Sequence, residues 1–457
     1  MGSERLDGAE VAVIGLGVSG HAAARLALTK GGKVYVSDSR ADAPAAAGGA
    51  DLGALGADVE WGGHDLDRVA RADLVVVSPG IPSDAPVLRA LAQRGVRWIS
   101  EPELAFRFFS GPLIAVTGTN GKTTTTLLVA HLLEAAGTRV AVGGNVGGGL
   151  APAASDLALR TEPTDWYVVE MSSFQLAGID RFRPDIGVVT NLSPDHLDRY
   201  RTVEAYYADK ARLFDNADDH SRWVLPFGDE AVATLAGDAA GGRFWFSERP
   251  APGAHAWVGD DGRLTLALGR PEPLLPADEL PLLGAHNRAN ALAAALAAGL
   301  AGTDPAVLGE GLRTARPLPH RLEPVVERGG ILWVNDSKAT NVAATRSALL
   351  SLDRPLVLLL GGKDKGEDYG PLRAAVAGRV RHVVAYGAAG PRIAASLEGS
   401  VPVQLEEGDL AAVVDAARAA ARPGDVVLLS PACSSFDMFD DYGHRGRVFA
   451  ELARGLA

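Results

Sequence analysis

The stretch Ile114-Ala-Val-Thr-Gly-Thr-Asn-Gly-Lys-Thr-Thr-Thr-Thr126 is an apolar run that breaks into glycines, a lysine and hydroxyl side chains. This order predicts a strand, a glycine-rich phosphate loop and the start of a helix. The glycines let backbone N–H groups turn towards phosphate oxygens, Lys122 reaches the outer phosphates, and the Thr123 hydroxyl suits Mg²⁺. The strict P-loop pattern has glycine where this chain has Val116, so the loop is a variant. The sequence therefore predicts a site for MgATP or MgGTP, with an ordinary glycine turn before a helix as the alternative.

Composition limits the number of domains and the classes of partner. A chain of 457 residues with 47% apolar residues exceeds a single core and suggests about three domains. Its net charge of −12 offers no electrostatic footprint for nucleic acid or an anionic membrane, so neither is an expected partner. The single cysteine, Cys433, suits a reducing cytosol, and without a histidine motif it indicates a packed side chain rather than a nucleophile. Because no export signal or apolar run of transmembrane length stands in the sequence, we expect a cytoplasmic protein.

The N-terminal segment carries a second glycine-rich pattern. An apolar run over 10–14 is followed by G-x-G-x-x-G at Gly15, Gly17 and Gly20, and a second apolar run ends in Asp38. This order is typical of a βαβ nucleotide-binding unit in which the acid meets a ribose or a base edge. By itself the pattern would indicate NAD.

Polar residues follow two further buried strands. The runs 166–170 and 186–191 predict strands after the phosphate loop, and ligands in open α/β sheets bind beyond the carboxyl ends of such strands. The side chains expected at the same edge as the phosphate loop are Glu170, Asn191, Asp195 and His196.

The rest of the chain predicts a third α/β unit. A helix opening at Gly284 presents Asn287 and Asn290 on one face, the stretch 317–321 is typical of a linker, and four apolar strands then alternate with helices. The predicted fold is α/β with three domains: a Rossmann-like N-terminal domain, a central P-loop-type ATPase domain with a mostly parallel sheet, and a Rossmann-like C-terminal domain. Their expected ranges are 1–111, 112–317 and 318–457.

Several candidate residues have a plain structural alternative. A carboxylate that ends a buried strand is costly without a cation, which favours a Mg²⁺ role for Glu170 over a structural ion pair. Spacing alone leaves His196 an ordinary histidine and makes Lys210 a solvated helix lysine. The stretch 335–341 packs an acid, a base and hydroxyls behind a strand, which favours ligand contact over helix capping by Asn341.

Eight motifs follow one another along the chain. They are Gly-Leu-Gly-Val-Ser-Gly (15–20), Thr-Gly-Thr-Asn-Gly-Lys-Thr-Thr (117–124), Gly-Asn-Val-Gly (144–147), Asp-His-Leu-Asp-Arg-Tyr (195–200), His-Asn-Arg-Ala-Asn (286–290), Leu-Pro-His-Arg (318–321), Asn-Asp-Ser-Lys-Ala-Thr-Asn (335–341) and Ser-Pro-Ala-Cys-Ser-Ser-Phe-Asp (430–437). Together they resemble the bacterial Mur ligases over essentially the whole chain. Within that family the resemblance is to the members that join D-glutamate to UDP-N-acetylmuramoyl-L-alanine, with the L-alanine-adding members as runner-up.

The resemblance implies a set of ligand sites. The N-terminal fingerprint would hold the uridine nucleotide instead of NAD, through Leu16, Val18, Ser19, Asp38, Ser39, Arg40 and Gly80, while Asn145 contacts the muramoyl substrate. ATP would be held at its phosphates by Gly118, Thr119, Asn120, Gly121, Lys122, Thr123 and Thr124, and at its adenosine part by Asn287, Asn290, Arg321 and Asp336. D-Glutamate would be held by Lys338, Thr340, Lys365, Ser435, Phe436 and Tyr442. Mg²⁺ would be served by Thr123, Glu170, His196 and Lys210.

The resemblance has two details that bear on individual residues. Lys210 corresponds to a carbamylated lysine, which favours a functional role over the surface role that spacing suggests. The family commonly has leucine and phenylalanine where this chain has Phe436 and Tyr442, so these two contacts depart from the pattern.

The implied chemistry is amide ligation by a monomer working in peptidoglycan precursor synthesis. ATP would phosphorylate the L-alanyl carboxylate, and the D-glutamate amine would attack the resulting acyl phosphate, with Lys122, Glu170, His196 and Lys210 as the catalytic set. His196 or a neighbouring carboxylate would accept the amine proton. An NAD-dependent oxidoreductase would explain only the N-terminal fingerprint. A nucleotide-gated binding protein would explain both loops but not the clusters around Lys338 and Lys365.

Overall fold

The computed structural model describes residues 5–41, 49–82, 84–147, 149–196 and 199–455. These residues form two compact units. The first contains the described residues up to Ala277 together with Ala289–Leu312, and the second contains Asp278–Arg288 and Arg313 onwards. No helix of the described residues is long and apolar enough to cross a membrane.

The first unit begins with a five-stranded parallel sheet in the order β3-β2-β1-β4-β5. Its strands are β1 (Glu10–Ile14), β2 (Lys33–Asp38), β3 (Asp58–Trp61), β4 (Leu74–Val77) and β5 (Ile99–Ser100). Its helices are α1 (Val18–Thr29), α2 (Gly49–Ala54), α3 (Leu66–Arg71), α4 (Pro86–Gln93) and α5 (Glu101–Phe106). The strand order reverses at β1, so the crevice beyond β1 is the position where such a sheet binds a ligand.

A nine-stranded sheet follows in the same unit, in the order β14-β13-β12-β11-β10-β9-β6-β8-β7. Its strands are β6 (Leu113–Thr117), β7 (Val140–Gly144), β8 (Trp166–Glu170), β9 (Ile186–Val189), β10 (Arg222–Pro226), β11 (Gly242–Ser247), β12 (Ala256–Val258), β13 (Arg263–Leu266) and β14 (Glu272–Pro276). The sheet is parallel from β7 to β12, and only β13 and β14 pair in antiparallel fashion. The mostly parallel central sheet expected from the sequence is therefore confirmed.

Helices and short turns connect these strands. The helices are α6 (Lys122–Ala135), α7 (Ala154–Leu157), α8 (Ser173–Leu176), α9 (Val203–Ala211), α10 (Glu230–Ala236), α11 (Ala285–Leu300) and α12 (Pro305–Arg313), with 3₁₀ turns at Arg212–Phe214 and Ala277–Glu279. The division between the two units falls within α11.

The two sheets of the first unit share one hydrophobic core. A single cluster of buried side chains runs from Leu6 to Ala236, and within it the rings of Phe109 and Tyr167 stack at 4.0 Å. The buried carboxylate of Glu103 also joins the two sheets, because it accepts backbone N–H bonds from three consecutive residues, 180–182, at 2.8–3.0 Å. Burying a carboxylate is tolerated when its oxygens are satisfied in this way.

The second unit contains a six-stranded sheet in the order β15-β16-β20-β17-β18-β19, in which only β15 is antiparallel to its neighbour. Its strands are β15 (Glu323–Arg328), β16 (Ile331–Asn335), β17 (Leu356–Gly361), β18 (Val380–Tyr386), β19 (Val403–Glu406) and β20 (Val426–Leu429). Its helices are α13 (Val342–Ser351), α14 (Leu372–Val376), α15 (Gly390–Leu397), α16 (Leu410–Ala420) and α17 (Tyr442–Gly455). Separate apolar clusters cover its two faces, as in a doubly wound sheet.

Candidate active site

The phosphate loop connects β6 to α6 and has a backbone that only glycine suits. Gly118 and Gly121 have φ of 137° and 81°, where a side chain is strained. A Cβ atom at Gly118 would collide with the Thr190 hydroxyl, and one at Gly121 with the amide oxygen of Asn290. Both conformation and space therefore explain these two glycines.

The loop is held by the segment that follows β9. Thr119 and Ser193 exchange two hydrogen bonds of 3.0 Å, and Asn120 and Asn191 exchange two more of 3.0 Å. The Thr190 hydroxyl also donates to the Asn120 carbonyl at 2.6 Å. Asn191 was expected at this edge, whereas Thr190 and Ser193 carry no sequence signal of their own. These bonds fix the shape of the loop.

Lys122 and the start of α6 face the same loop. The Lys122 ammonium donates to the carbonyls of Gly118 at 3.2 Å and Thr119 at 2.8 Å, and Thr123 is buried behind it. Gly121 is the N-cap of α6 and supplies no side-chain cap to its first N–H groups. An ammonium, a helix N-terminus and a hydroxyl thus come together, and this donor set suits a nucleotide phosphate.

Lys210 is buried directly beneath the phosphate loop. Its side chain is 1% exposed and donates to the Gly118 carbonyl at 2.7 Å and the Thr117 hydroxyl at 3.5 Å. Burial, followed by the nearby charge of Lys122, holds the pKa of this amine well below its usual range. The solvated helix lysine suggested by spacing alone is therefore wrong. The reason is that α9 turns Tyr206 and Lys210, one turn apart, towards the core.

Glu170 and Asn145 form a pair at the end of β8. Glu170 is 1% exposed, and its Oε1 accepts from the Asn145 side-chain amide at 2.9 Å. The Asn145 N–H also donates to the Glu170 carbonyl at 2.9 Å. The charges of Glu170 and Asp195 both raise the pKa of Lys210, in opposition to burial, so these carboxylates lie near the amine.

His196 lies against an aromatic cluster. Its backbone has a left-handed φ of 54°, and its ring meets Phe174 and Tyr206 edge-on at 5.3 and 5.9 Å. Tyr200 stacks on Phe174 at 5.3 Å, and the Tyr206 hydroxyl donates to the Thr119 hydroxyl at 3.3 Å. These rings hold the half-exposed imidazole beside the phosphate loop. The sequence carries one signal for Tyr206: it lies one helical turn before Lys210 and so shares the same face of α9.

The predicted metal residues do not form a preassembled coordination site in the described part of the chain. In the described part of the chain, no three His, Cys, Asp or Glu side chains converge as a metal site. The residues at this edge instead offer one buried carboxylate, one hydroxyl and one imidazole next to a phosphate loop. Because Mg²⁺ uses one or two protein carboxylates together with phosphate oxygens and water, this donor set fits a nucleotide-bound Mg²⁺.

The predicted uridine site is organised around Asp38. Its carboxylate accepts from the Leu16 N–H at 2.7 Å and from the Arg40 guanidinium at 2.8 and 2.9 Å. These bonds, above all from Arg40, hold its pKa well below the usual range. Asp38 thus joins the loops after β1 and β2. Val18, the first residue of α1, is 79% exposed. Ser19 is in the first turn of α1, Ser39 follows β2, and Gly80 follows β4, where its carbonyl accepts from the Arg199 guanidinium at 3.3 Å.

Three of the four residues predicted to hold adenosine, Asn287, Arg321 and Asp336, lie in the second unit, and Asn290 lies in the first. Asp336 accepts from the Ser430 hydroxyl at 2.7 Å and the Leu322 N–H at 3.2 Å, and burial raises its pKa to about 7. The charge of Arg321 opposes this shift. The Asn287 amide donates to the Leu283 carbonyl at 2.8 Å.

Five of the six residues predicted to hold the amino acid stand on loops at one edge of the C-terminal sheet, and the sixth, Tyr442, is the first residue of α17. The Lys338 ammonium donates to the Tyr442 hydroxyl at 3.0 Å and lies 4.4 Å above that ring. Lys365 donates to the Thr340 carbonyl at 3.0 Å, and Ser435 is buried on the adjacent loop. Phe436, on the same loop as Ser435, is 67% exposed.

The structure bears on two residues for which the sequence left alternatives. Asn341 is the N-cap of α13 and accepts from the Ala344 N–H at 2.7 Å, so helix capping is its structural role. Cys433 is buried, and its thiol lies 3.1 Å from the Tyr369 hydroxyl. Burial raises the pKa of the thiol, which agrees with a packed side chain and not with a nucleophile.

Comparison with known proteins agrees with this architecture. Three family descriptions match in order: the Mur ligase MurD-like N-terminal domain over 9–100, the Mur ligase middle domain over 116–298 and the Mur ligase glutamate ligase domain over 320–433. A relative from Acidobacterium capsulatum is 45% identical over 99% of this chain and 98% of its own. The chain belongs to the Mur ligase family.

Two curated relatives of this Mur ligase carry the same name. The Acidobacterium protein and one from Salinibacter ruber, 41% identical over 97% of each chain, are both called UDP-N-acetylmuramoylalanine–D-glutamate ligase. Solved structures share the fold. They include UDP-N-acetylmuramate-alanine ligase of Thermotoga maritima, with a TM-score of 0.58 and 21% identity over 98% of this chain and 99% of its own. A second, MurF ligase of Thermotoga maritima in complex with ADP, has a TM-score of 0.58 and 16% identity over 99% and 95%.

Proposed function

We propose that this Mur ligase joins D-glutamate to UDP-N-acetylmuramoyl-L-alanine at the expense of ATP, releasing ADP and phosphate, in cytoplasmic peptidoglycan precursor synthesis. The observation that carries the proposal is the 45% identity, along 99% of the chain, to a relative named for that reaction. Two features of the structure support it. A phosphate loop with Lys122 follows strand β6 of the nine-stranded sheet. Lys338 and Lys365 lie at one edge of the C-terminal sheet.

In the proposed reaction, the L-alanyl carboxylate attacks the γ-phosphorus of ATP, and ADP leaves. The D-glutamate amine then attacks the carbonyl carbon of the acyl phosphate, phosphate leaves, and the amine loses a proton. Lys122 stabilises the charge that develops on the transferring phosphoryl group, and the first N–H groups of α6 orient it. His196 or the neighbouring Asp195 accepts the amine proton, since both lie beside the loop.

Mg²⁺ would be held by Thr123, Glu170, His196 and Lys210. When bound, it neutralises charge on the phosphate oxygens. Lys210 requires modification for this role, because an ammonium would repel the metal. Its buried position and lowered pKa favour the neutral amine, which adds to CO₂ with loss of a proton to give an anionic carbamate. Such an oxygen ligand suits Mg²⁺.

The remaining ligand contacts follow the sites described above. The uridine nucleotide lies against Leu16, Val18, Ser19, Asp38, Ser39, Arg40 and Gly80, and Asn145 contacts the muramoyl group. The loop 118–124 holds the phosphates of ATP, and Asn287, Asn290, Arg321 and Asp336 hold its adenosine. D-Glutamate contacts Lys338, Thr340, Lys365, Ser435, Phe436 and Tyr442. The three functional domains are 1–111, 112–317 and 318–457, and the enzyme acts as a monomer without nucleic acid or a membrane as partner.

Phosphate release with purified protein tests the proposal. UDP-N-acetylmuramoyl-L-alanine is supplied with MgATP and a panel of D- and L-amino acids, and D-glutamate alone is expected to give full turnover. UDP-N-acetylmuramate with L-alanine tests the sister activity, and NAD binding tests the oxidoreductase alternative. Turnover with L-alanine and none with D-glutamate would replace this proposal by the sister reaction.

A further inference from the structure

Arg445 is a fully buried guanidinium in the first turns of α17. All five of its N–H donors are used: Nε donates to the Ser337 hydroxyl at 2.9 Å, and the terminal nitrogens donate to four carbonyls at 3.0–3.4 Å. Those carbonyls belong to Ser337, Gly361, Cys433 and Ser434. Apart from the Ser337 hydroxyl, the guanidinium therefore hydrogen bonds only to backbone carbonyls.

These acceptors lie on three different loops. Ser337 follows β16, Gly361 ends β17, and Cys433 with Ser434 follows β20, which lies between the other two strands in the sheet. One planar guanidinium thus sets the relative positions of three strand-end loops. No other side chain described above contacts more than two of them.

The residues proposed to hold the amino acid are next to those acceptors in the chain. Lys338 follows Ser337, Ser435 follows Ser434, and Lys365 stands four residues after Gly361. The Ser337 hydroxyl also donates to the Tyr442 carbonyl at 2.8 Å, at the start of the helix that carries Arg445. A shift of the guanidinium would accordingly be transmitted to each of these loops.

The charge of Arg445 has no carboxylate partner. Within the part of the chain that the structure describes, no Asp or Glu lies at salt-bridge distance from it, and its acceptors are neutral dipoles. Burying such a charge is expensive, and a purely structural role is served by a paired arginine at the other end of the same sheet. There, Arg381 holds the buried Asp425 through two bonds of 3.1 and 3.2 Å.

We propose that Arg445 is a positioning and specificity residue of the amino-acid site: it aligns the three loops that carry Lys338, Lys365 and Ser435, and its unpaired charge favours an amino acid with an anionic side chain. This inference rests on the function proposed above. The first role depends on the five donors and the second on the positive charge, so different substitutions separate them.

Steady-state kinetics of two variants test both roles. Arg445→Lys keeps the charge but loses most donors, so we expect the KM for D-glutamate to rise about tenfold and the KM for ATP to stay within about twofold. Preference for D-glutamate over D-glutamine should persist in this variant. Arg445→Met removes the charge as well. Its preference for D-glutamate over D-glutamine should be about tenfold lower than that of Arg445→Lys.

Two further variants keep the test decisive. Ser337→Ala removes one acceptor of the guanidinium and is expected to raise the KM for D-glutamate about threefold even if the Arg445 variants fold poorly. Arg381→Lys is the matched control: it should lower the midpoint of thermal unfolding without changing the ratio of the D-glutamate and ATP KM values.

The outcomes distinguish this inference from the proposed function. If the unmodified enzyme shows no phosphate release that depends on D-glutamate, the proposed function fails. If the unmodified enzyme is active and Arg445→Lys or Ser337→Ala leaves the D-glutamate KM unchanged, or raises the D-glutamate and ATP KM values equally, the positioning role is wrong. Equal discrimination against D-glutamine in the Lys and Met variants would overturn the role of the charge.

Discussion

The protein uses lysine in two different ways at the ends of its two large sheets. Beside the phosphate loop of the first unit, Lys210 is almost fully buried, and burial together with the charge of Lys122 lowers its pKa. At the edge of the C-terminal sheet, Lys365 is exposed and Lys338 is partly buried, and each is held by one neutral oxygen. The first arrangement lowers the pKa of an amine, whereas the second leaves two ammonium groups at the sheet edge where the amino-acid site is proposed.

The source of rigidity differs as well. The phosphate loop is held by reciprocal hydrogen bonds to the segment after β9, which is itself part of the proposed site. The loops of the second unit that carry Lys338, Lys365 and Ser435 are held by Arg445, which is buried and fully hydrogen bonded. In the first unit the bonds that hold the loop thus come from residues of the proposed site, whereas in the second unit they come from a buried residue outside the proposed ligand contacts.

Lys122→Ala should have the largest effect on activity. Losing the cation next to the transferring phosphoryl group is expected to lower kcat by at least about a thousandfold, while the fold remains intact because no core packing depends on this side chain. Phosphate release measures the effect. Lys33→Ala, at the exposed start of β2, is the control and should be near normal. Near-normal turnover of Lys122→Ala with saturating MgATP would refute the phosphate-loop assignment.

Lys210→Arg tests whether the buried amine is modified. Arginine keeps a positive charge but cannot form the carbamate, so kcat is expected to fall by about a hundredfold. Removing bicarbonate thoroughly should depress the activity of the unmodified enzyme, and restoring it should recover that activity. Electron density from a crystal with bound Mg²⁺ should extend beyond Nζ. Density that ends at an ammonium, together with an active Arg variant, would leave Lys210 a buried structural donor to Gly118.

Lys365→Ala should separate recognition from chemistry. Without this cation one substrate carboxylate loses its partner, so the KM for D-glutamate is expected to rise about thirtyfold with little change in the KM for ATP. Lys363→Ala is the matched control, because Lys363 is exposed on the same loop and holds it through a backbone bond to Ser434. Similar increases in both KM values for Lys365→Ala would show that this loop is not an amino-acid site.

The smallest effect on activity is expected at Glu101, a buried carboxyl that the proposed chemistry does not use. Burial raises its pKa from 4.5 to about 7, although Ser155 donates to it. The folded protein therefore holds this proton more tightly than the unfolded chain. The resulting stability, about 3 kcal/mol, is present below about pH 4.5 and is lost as the pH rises through 7.

Glu101→Gln should remove this dependence on pH. Its unfolding midpoint is expected to be close to that of the unmodified protein at pH 5 and above it at pH 8, with kcat unchanged. Calorimetry at several pH values measures the midpoints. A parallel pH dependence in both proteins would show that Glu101 does not titrate during unfolding.

Sequence patterns located the phosphate loop, the order of the sheets and the edges where polar residues gather, because glycine spacing and strand-end positions are local features. Lys210 shows the limit of that reasoning. Its spacing in an amphipathic segment predicts a surface lysine, and only the resemblance to a family indicated a function. The side chain is buried because α9 packs Tyr206 and Lys210 against the loop, which is a contact between distant segments.

The sequence by itself determined where the backbone could turn and which strands would be buried, since these depend on side-chain size, polarity and glycine conformation within a few residues. Only the tertiary structure decided which groups meet. Asp38 accepts from the Leu16 N–H, 22 positions away, and Arg445 bonds to residues 11, 12, 84 and 108 positions away along the chain. Such pairings follow from the stacking of strands and loops in space, and no local pattern records them.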